Sequence, residues 1–150
     1  SLLWNEGLDF GHGTGHGVGA FLGVHEGPQR ISAFAGDVGF RSGMIISNEP
    51  GYYRTDWGGI RLENLYVVQP AARHPKHPDG KEWLCFDTLT LIPFERKLVC
   101  EELLTEDEWK WLQHYHKRVW EEISPLLNED GEKEYLWQAC DWSQRLQAAA

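Results

Sequence analysis

The sequence predicts an α/β (α+β) fold, β-rich over residues 1–100 and helical over residues 101–150. Three observations lead there. Most of the Gly and Pro lie in the first hundred residues, scattered among apolar runs too short for helices. Beyond residue 100, apolar side chains recur every three or four positions behind a helix-start signal. The charge changes at the same place, from 11 acidic and 9 basic residues over 1–100 to 12 acidic and 5 basic over 101–150.

Taken in order, the segment GHGTGHGVG (11–19) is too rich in Gly for a helix, since each interior Gly costs about 1 kcal/mol relative to Ala. The runs VGAFLGVH (18–25), GMIIS (43–47), IRLENLYVV (60–68) and WLCFDTLTLIPF (83–94) read as strands. His25-Glu26-Gly27-Pro28 would end the first of them. SNEPGYY (47–53) places Glu49 at a strand end, immediately before a Pro-Gly turn signal. QPAARHPKHPDGKE (69–82) reads as an exposed loop or long hairpin tip. Thr105 and Glu108 form a capping box, with Leu104 and Trp109 as its hydrophobic staple. Trp109, Leu112, His116, Val119 and Ile123 make one stripe on a helix that stops near Ser124-Pro125. A weaker helix is expected over about Glu132 to Leu146, and five of the eight Trp lie in this acidic section. Two such helices cannot close a bundle by themselves, so they should pack on the β-rich region or on a dimer partner.

At 150 residues, the chain can bury about 68–70% of its unfolded surface and form a core without staples. A net charge of −9 argues against nucleic acid as a partner, because affinity for phosphates comes from basic groups. The apolar runs fall short of a membrane span, and SLLWNEG has neither the basic region nor the cleavage site of a signal peptide. Cys85, Cys100 and Cys140 lack paired spacing, which suits a reducing, cytoplasmic compartment, with all three as plain core residues.

Chemistry concentrates in four segments. In an extended chain His12 and His16 lie roughly 13 Å apart, so one ion would not take both. By themselves they are two histidines on a Gly-rich loop. A hairpin between 44–49 and 60–67 would bring the carboxylates of Glu49 and Glu63 together from partner strands. Adjacent buried carboxylates repel unless a cation neutralises them. One histidine with Glu49 and Glu63 would supply N/O ligands suited to Zn²⁺, Mn²⁺, Co²⁺ or Fe²⁺, and such ligands would have to converge on one point. Taken alone, Glu63 would be an ordinary ion pair with Arg61 or another basic group.

The ordered set GHGTGHGVG, VHEGP, SNEPGYY and GGIRLENL closely resembles the creatinase/aminopeptidase family with the pita-bread fold, and within it the Xaa-Pro aminopeptidases. The likeness continues through LCFDTLTLIPFERKLV and LLTEDEWKWLQHYHKRVWEEISPLL, which resemble the C-terminal end of the long, cytosolic type. The resemblance implies a curved, mostly antiparallel sheet, the C-terminal half of a pita-bread domain, over residues 1–100. It makes His16 a metal ligand, His12 a residue near the substrate, and His25 a contact to the scissile peptide that steadies the tetrahedral intermediate. Glu49 becomes a ligand that also handles the proton of the attacking water, Glu63 a carboxylate bridging two ions, and Arg61 an orienting group in substrate binding. Two divalent ions, most often Mn²⁺ with Zn²⁺ or Co²⁺ as alternatives, and a peptide with proline in second position follow from the same resemblance. So does a homodimeric parent protein.

The family site also needs two aspartates and a further histidine before the Gly-His segment, and Asp9 matches neither aspartate. The chain therefore reads as the C-terminal piece of a longer metallo-aminopeptidase, inactive in isolation. Two other readings compete. One is a pita-bread pseudoenzyme that binds peptides or proteins without hydrolysis, and metal content would separate it from the enzyme. The other is a fragment whose Trp-rich helices serve dimer contacts.

Overall fold

The computed structural model of the chain describes residues 2–21, 23–33, 38–71, 80 and 82–145. They divide into two units, one up to Thr90 and one from Leu91 onward. Among the described residues, no helix is long and apolar enough to cross a membrane.

The first unit begins with a single helical turn, α1 (Leu2–Asn5), followed by seven short strands, all paired antiparallel. β1 (Gly15–His16) pairs with β2 (Arg30–Ile31), and β3 (Ile45–Asn48), β6 (Asn64–Pro70) and β7 (Leu84–Thr88) form a sheet in the order β3-β6-β7. A bridge between Gly17 and Ile46 joins β1 to β3, and Val18 N–H donates to Ile45 O at 3.2 Å, so the two sheets run into one another. β4 (Gly51–Arg54) and β5 (Gly58–Arg61) form a separate hairpin inserted between β3 and β6. Its turn leaves Gly58 at φ +133°, a backbone region that L side chains rarely adopt. Ile46, Ser47 and Val68 are fully buried and form the floor of this unit.

Several elements differ from the sequence expectation. The run 18–25 is not a strand: Gly19 N–H donates to Gly23 O at 2.7 Å, Gly23 N–H donates to Ala20 O at 3.0 Å, and Phe21 sits exposed at φ +50°. Gly19 and Gly23 leave the closed turn room beside the Glu26 carboxylate, which a Cβ on either would meet, where apolar content alone suggests extension. His25 accordingly lies in a bend, not at a strand end. The run 60–68 is split, its start in β5 and its remainder in β6, because the 51–61 hairpin uses Ile60 and Arg61. The run 83–94 is extended only as β7, and Leu91 and Phe94 instead pack on the helices. Of the expected 69–82 loop, Gln69 and Pro70 finish β6, while 72–79 and 81 lie outside the described residues.

In the second unit Thr105 caps α2 (Glu106–Ile123) with the full capping box, each side chain meeting the other's backbone N–H. Leu104 packs against the cluster of Trp109, Leu112 and Trp142, as a staple should. The buried stripe contains Trp109, Leu112, His116 and Val119, and also Tyr115, whose hydroxyl donates to Ile92 O at 2.8 Å. Single 3₁₀ turns precede α2 and follow it, and α3 (Asp130–Cys140) then returns Leu136 and Cys140 to the core. Ser143 to Arg145, expected inside the second helix, are not helical, and Leu146 lies outside the described residues. Arg96 closes the unit. Its guanidinium meets Glu101 at 2.6 Å and the backbone oxygens of Asp141 and Gln144, and lies over the rings of Trp109 and Trp142. Cys140 is buried as expected, but Cys85 and Cys100 are exposed, Cys85 because it sits on the open edge strand β7.

Candidate active site

The glycines around His16 explain how it reaches its partners. A Cβ on Gly15 would collide with the Ser47 carbonyl oxygen, and one on Gly17 with the Glu26 carbonyl oxygen. Only bare backbone lets β1 lie this close to β3. His16 N–H then donates to Ser47 Oγ at 3.0 Å, and Glu49 N–H donates to Thr14 O at 2.6 Å. Ser47 Oγ–H in turn donates to Glu49 Oε1 at 2.9 Å, and His16 Nε2 lies 3.1 Å from the same oxygen. Glu49 is buried, with 9% of its surface exposed.

The proton on His16 is fixed by chemistry. Nδ1 lies 2.9 Å from the Gly17 carbonyl oxygen, which can only accept, so Nδ1 carries the hydrogen. In the neutral ring Nε2 is then a lone pair facing a carboxylate lone pair at 3.1 Å. Two acceptors hold that separation only with a proton or a cation between them. The pair therefore fits a divalent ion in donor chemistry as well as in position.

Asn48↔Asn64 is the last register pair of β3 and β6, so Glu49 and Glu63 are the next residues outward on the two strands. Arg61 lies between them, with Nη1 3.7 Å from Glu49 Oε2 and 3.9 Å from Glu63 Oε2. Its Nε–H donates to Tyr53 Oη at 2.8 Å, and that bond, more than the nearby carboxylates, raises the guanidinium above its ordinary pKa. The three expected ligands thus do not meet at one point. His16 and Glu49 are in contact, Glu63 joins them through Arg61, and among the described residues no group of three His, Cys, Asp or Glu is placed to hold an ion. A guanidinium thus stands between a buried carboxylate, Glu49, and an exposed one, Glu63.

His25 packs beside His16, ring centroids 4.3 Å apart and planes inclined at 54°. His12 packs between Phe10 and Tyr53, with its Nδ1–H donating to Gly13 O at 2.7 Å and its buried Nε2 without a partner among the described residues. Asp9 serves local structure, its carboxylate held below the ordinary value by the Phe10 N–H and then the Trp4 indole. A cavity of about 680 Å³ opens among Phe10, Thr14, Pro50, Tyr52, Ile60 and Leu62, with Pro50 the residue that follows Glu49 in the chain. Sequence reasoning missed Ser47 and Tyr53. Ser47 could have been found as the residue two before Glu49 on the same strand face, whereas Tyr53 had no signal beyond its place after the Pro-Gly turn.

Residues 1–70 match the model of metallopeptidase family M24, and residues 82–142 match that of the C-terminal region of peptidase M24. The chain is 49% identical to aminopeptidase P2 of Arabidopsis thaliana over 138 residues, 91% of this chain and 19% of that protein. It is 46% identical to Xaa-Pro aminopeptidase 1 of Dictyostelium discoideum over 138 residues, 90% of this chain and 22% of that protein. Among solved structures it is similar to X-prolyl aminopeptidase of Caenorhabditis elegans, a cytosolic enzyme with a di-nuclear active site, with a TM-score of 0.78 and 40% identity over 93% of this chain and 22% of that one. The chain spans about a fifth of the length of the curated relatives it matches.

Proposed function

The chain belongs to metallopeptidase family M24, and from that premise we propose that the protein containing these residues is a metal-dependent aminopeptidase cleaving the bond between an N-terminal residue and proline. The observation that carries the reading is the pairing of His16 Nε2 with Glu49 Oε1, with Glu63 one register step away, at the strand ends of a chain whose relatives are Xaa-Pro aminopeptidases.

His16, Glu49 and Glu63 would hold divalent ions, with Mn²⁺ the ion we assign. Bound there, the ions would polarise the scissile carbonyl and lower the pKa of the attacking water. The remaining work falls to the chain itself. Ser47 Oγ–H occupies Glu49 Oε1 and turns Oε2 toward Arg61, leaving Oε2 as the atom that accepts the proton of the attacking water. Arg61, anchored by Tyr53, keeps the Glu49 and Glu63 carboxylates side by side. His25, beside His16, donates a hydrogen bond to the developing oxyanion, and His12 lines the substrate side. The apolar cavity lined by Thr14, Pro50 and Tyr52 would accommodate the first residues of the peptide.

A homodimer, a cytoplasmic location and a second ion completed by ligands outside these residues belong to the same proposal, the last two supported by the cytosolic, di-nuclear nematode enzyme. The 150 residues alone, with three candidate ligands, would bind metal weakly and turn nothing over.

The test is made in the whole protein, measuring bound Mn²⁺ together with release of arginine from an Arg-Pro-Pro peptide. His25→Ala is expected to keep its metal and lose about 10²–10³ in kcat, the range for one transition-state donor. Glu63→Ala is expected to lose both metal and turnover. A His25→Ala enzyme with normal turnover would reduce His25 to a loop histidine, and a Glu63→Ala enzyme with full metal content would remove Glu63 from the ligand set.

A further inference from the structure

We propose that the pocket between α2 and α3 binds a weakly hydrated cationic side chain, a guanidinium or an alkylated ammonium, presented by a peptide partner. The pocket is a cavity of about 260 Å³ within the second unit, lined in part by Lys117, Trp120, Trp137, Cys140, Asp141 and Trp142. That volume suits one side chain, not a drug-sized ligand.

Its walls are indoles set nearly at right angles. Trp120 and Trp137 meet edge to face, with centroids 5.2 Å apart and planes inclined at 73°. The edge of one indole lies on the face of the other, and the π face left open at that corner favours a cation over a neutral group of the same shape. The unit already uses this chemistry internally. Arg96 lies 5.0 Å from the Trp142 centroid, and Arg145 lies 5.2 Å from that of Trp109. No such contact involves Trp120 or Trp137 among the described residues, although Trp137 is half exposed.

Charge points the same way. Residues 101–150 carry 12 acidic against 5 basic groups, and Asp141 stands at the pocket itself. Hydrogen bonds from Ser143 hold the Asp141 carboxyl below its ordinary value, so it stays ionised. Lys117 is the one opposing charge among the lining residues, and it is paired with Glu121 at 3.7 Å, one helical turn away. Indole walls offer no acceptors to replace the water around a lysine ammonium, whereas guanidinium and alkylated ammonium groups are weakly hydrated and enter more readily. Cys140 adds no reactivity, because burial pushes its thiol up to about 11.

The experiment uses the 150-residue chain and short acetylated, amidated peptides carrying one trimethyllysine or one arginine. The same peptide with norleucine at that position is the neutral control. Tryptophan fluorescence and indole N–H shifts report binding. Saturable binding of the cationic peptides is expected, weakened by salt and tighter in Lys117→Ala. About a three- to tenfold preference over the norleucine peptide is expected, the range of a cation–π contact. Trp137→Leu, which keeps an apolar wall but removes the aromatic face, should abolish that preference. Equal binding of the norleucine peptide, no saturable change with either cationic peptide, or an unaltered preference in Trp137→Leu would each overturn the proposal. The norleucine comparison on the unaltered chain holds even if the variant folds poorly.

Discussion

His116 is fully buried on α2, and its two ring nitrogens define its charge state. Nδ1–H donates to Leu112 O at 2.8 Å, and Nε2 accepts from Phe94 N–H at 3.0 Å. The ring is therefore neutral, and adding a proton would set two N–H groups against each other. Burial pushes the His116 pKa below its ordinary value of 6.5, and the nearby Arg96 charge adds to that. Because the folded pKa is depressed, the unfolded chain takes up the proton first, and stability falls as pH drops below about 6.5 until the folded value is reached. For one histidine, the loss between about pH 7.5 and about pH 5.5 is at most about 1.4 kcal/mol. Replacing His116 by Leu removes this dependence but strands the Phe94 N–H, at a cost of about 1–3 kcal/mol at the higher pH. Urea unfolding followed by tryptophan fluorescence reads both effects, since Trp142 stacks on His116 at 4.5 Å. The expected result is a less stable His116→Leu chain whose stability varies less with pH. An unchanged pH slope would refute the assignment of the neutral ring.

Thr105→Ala should destabilise the second unit by about 1 kcal/mol, seen in thermal unfolding, since it removes the hydroxyl that accepts from Glu108 N–H. Gly15→Ala forces a Cβ into the Ser47 carbonyl and should cost about 1–3 kcal/mol while moving His16 away from Glu49; equal melting temperatures would contradict it. Thiol titration should show Cys85 and Cys100 reacting fast and Cys140 slowly, because a pKa raised from 9.0 to about 11 leaves about a hundredfold less thiolate.

The helical half was the more legible. Its capping box, its staple and the stripe from Trp109 to Val119 depend on residues within a few positions of one another, and local sequence carries that information. In the β-rich half the pairing of β3 with β6 could be read, and with it the neighbourhood of Glu49 and Glu63. The 51–61 hairpin between them could not, because Pro50-Gly51 signals a turn whether the chain returns at once or first adds two strands. That hairpin places Arg61 and Tyr53 at the carboxylates, so the same omission hid the guanidinium between Glu49 and Glu63. The run 18–25 misled for a different reason. Apolar content signals burial, yet a Cβ on Gly19 or Gly23 would meet the Glu26 carboxylate, and Phe21 turns the chain at φ +50°.

Arg96 ties the beginning of the helical unit to its last described residues, reaching a backbone oxygen 48 residues further along the chain. A stretch of polypeptide whose entry and exit lie side by side is closed like a clasped bracelet. Segments whose ends lie close together are those that tolerate transfer to a host or rejoining at another loop. The same clasp makes the guanidinium hard to replace. Lysine has one ammonium where Arg96 uses a planar fork to meet a carboxylate, two carbonyls and two indole rings, so a change of shape at constant charge would open the bracelet.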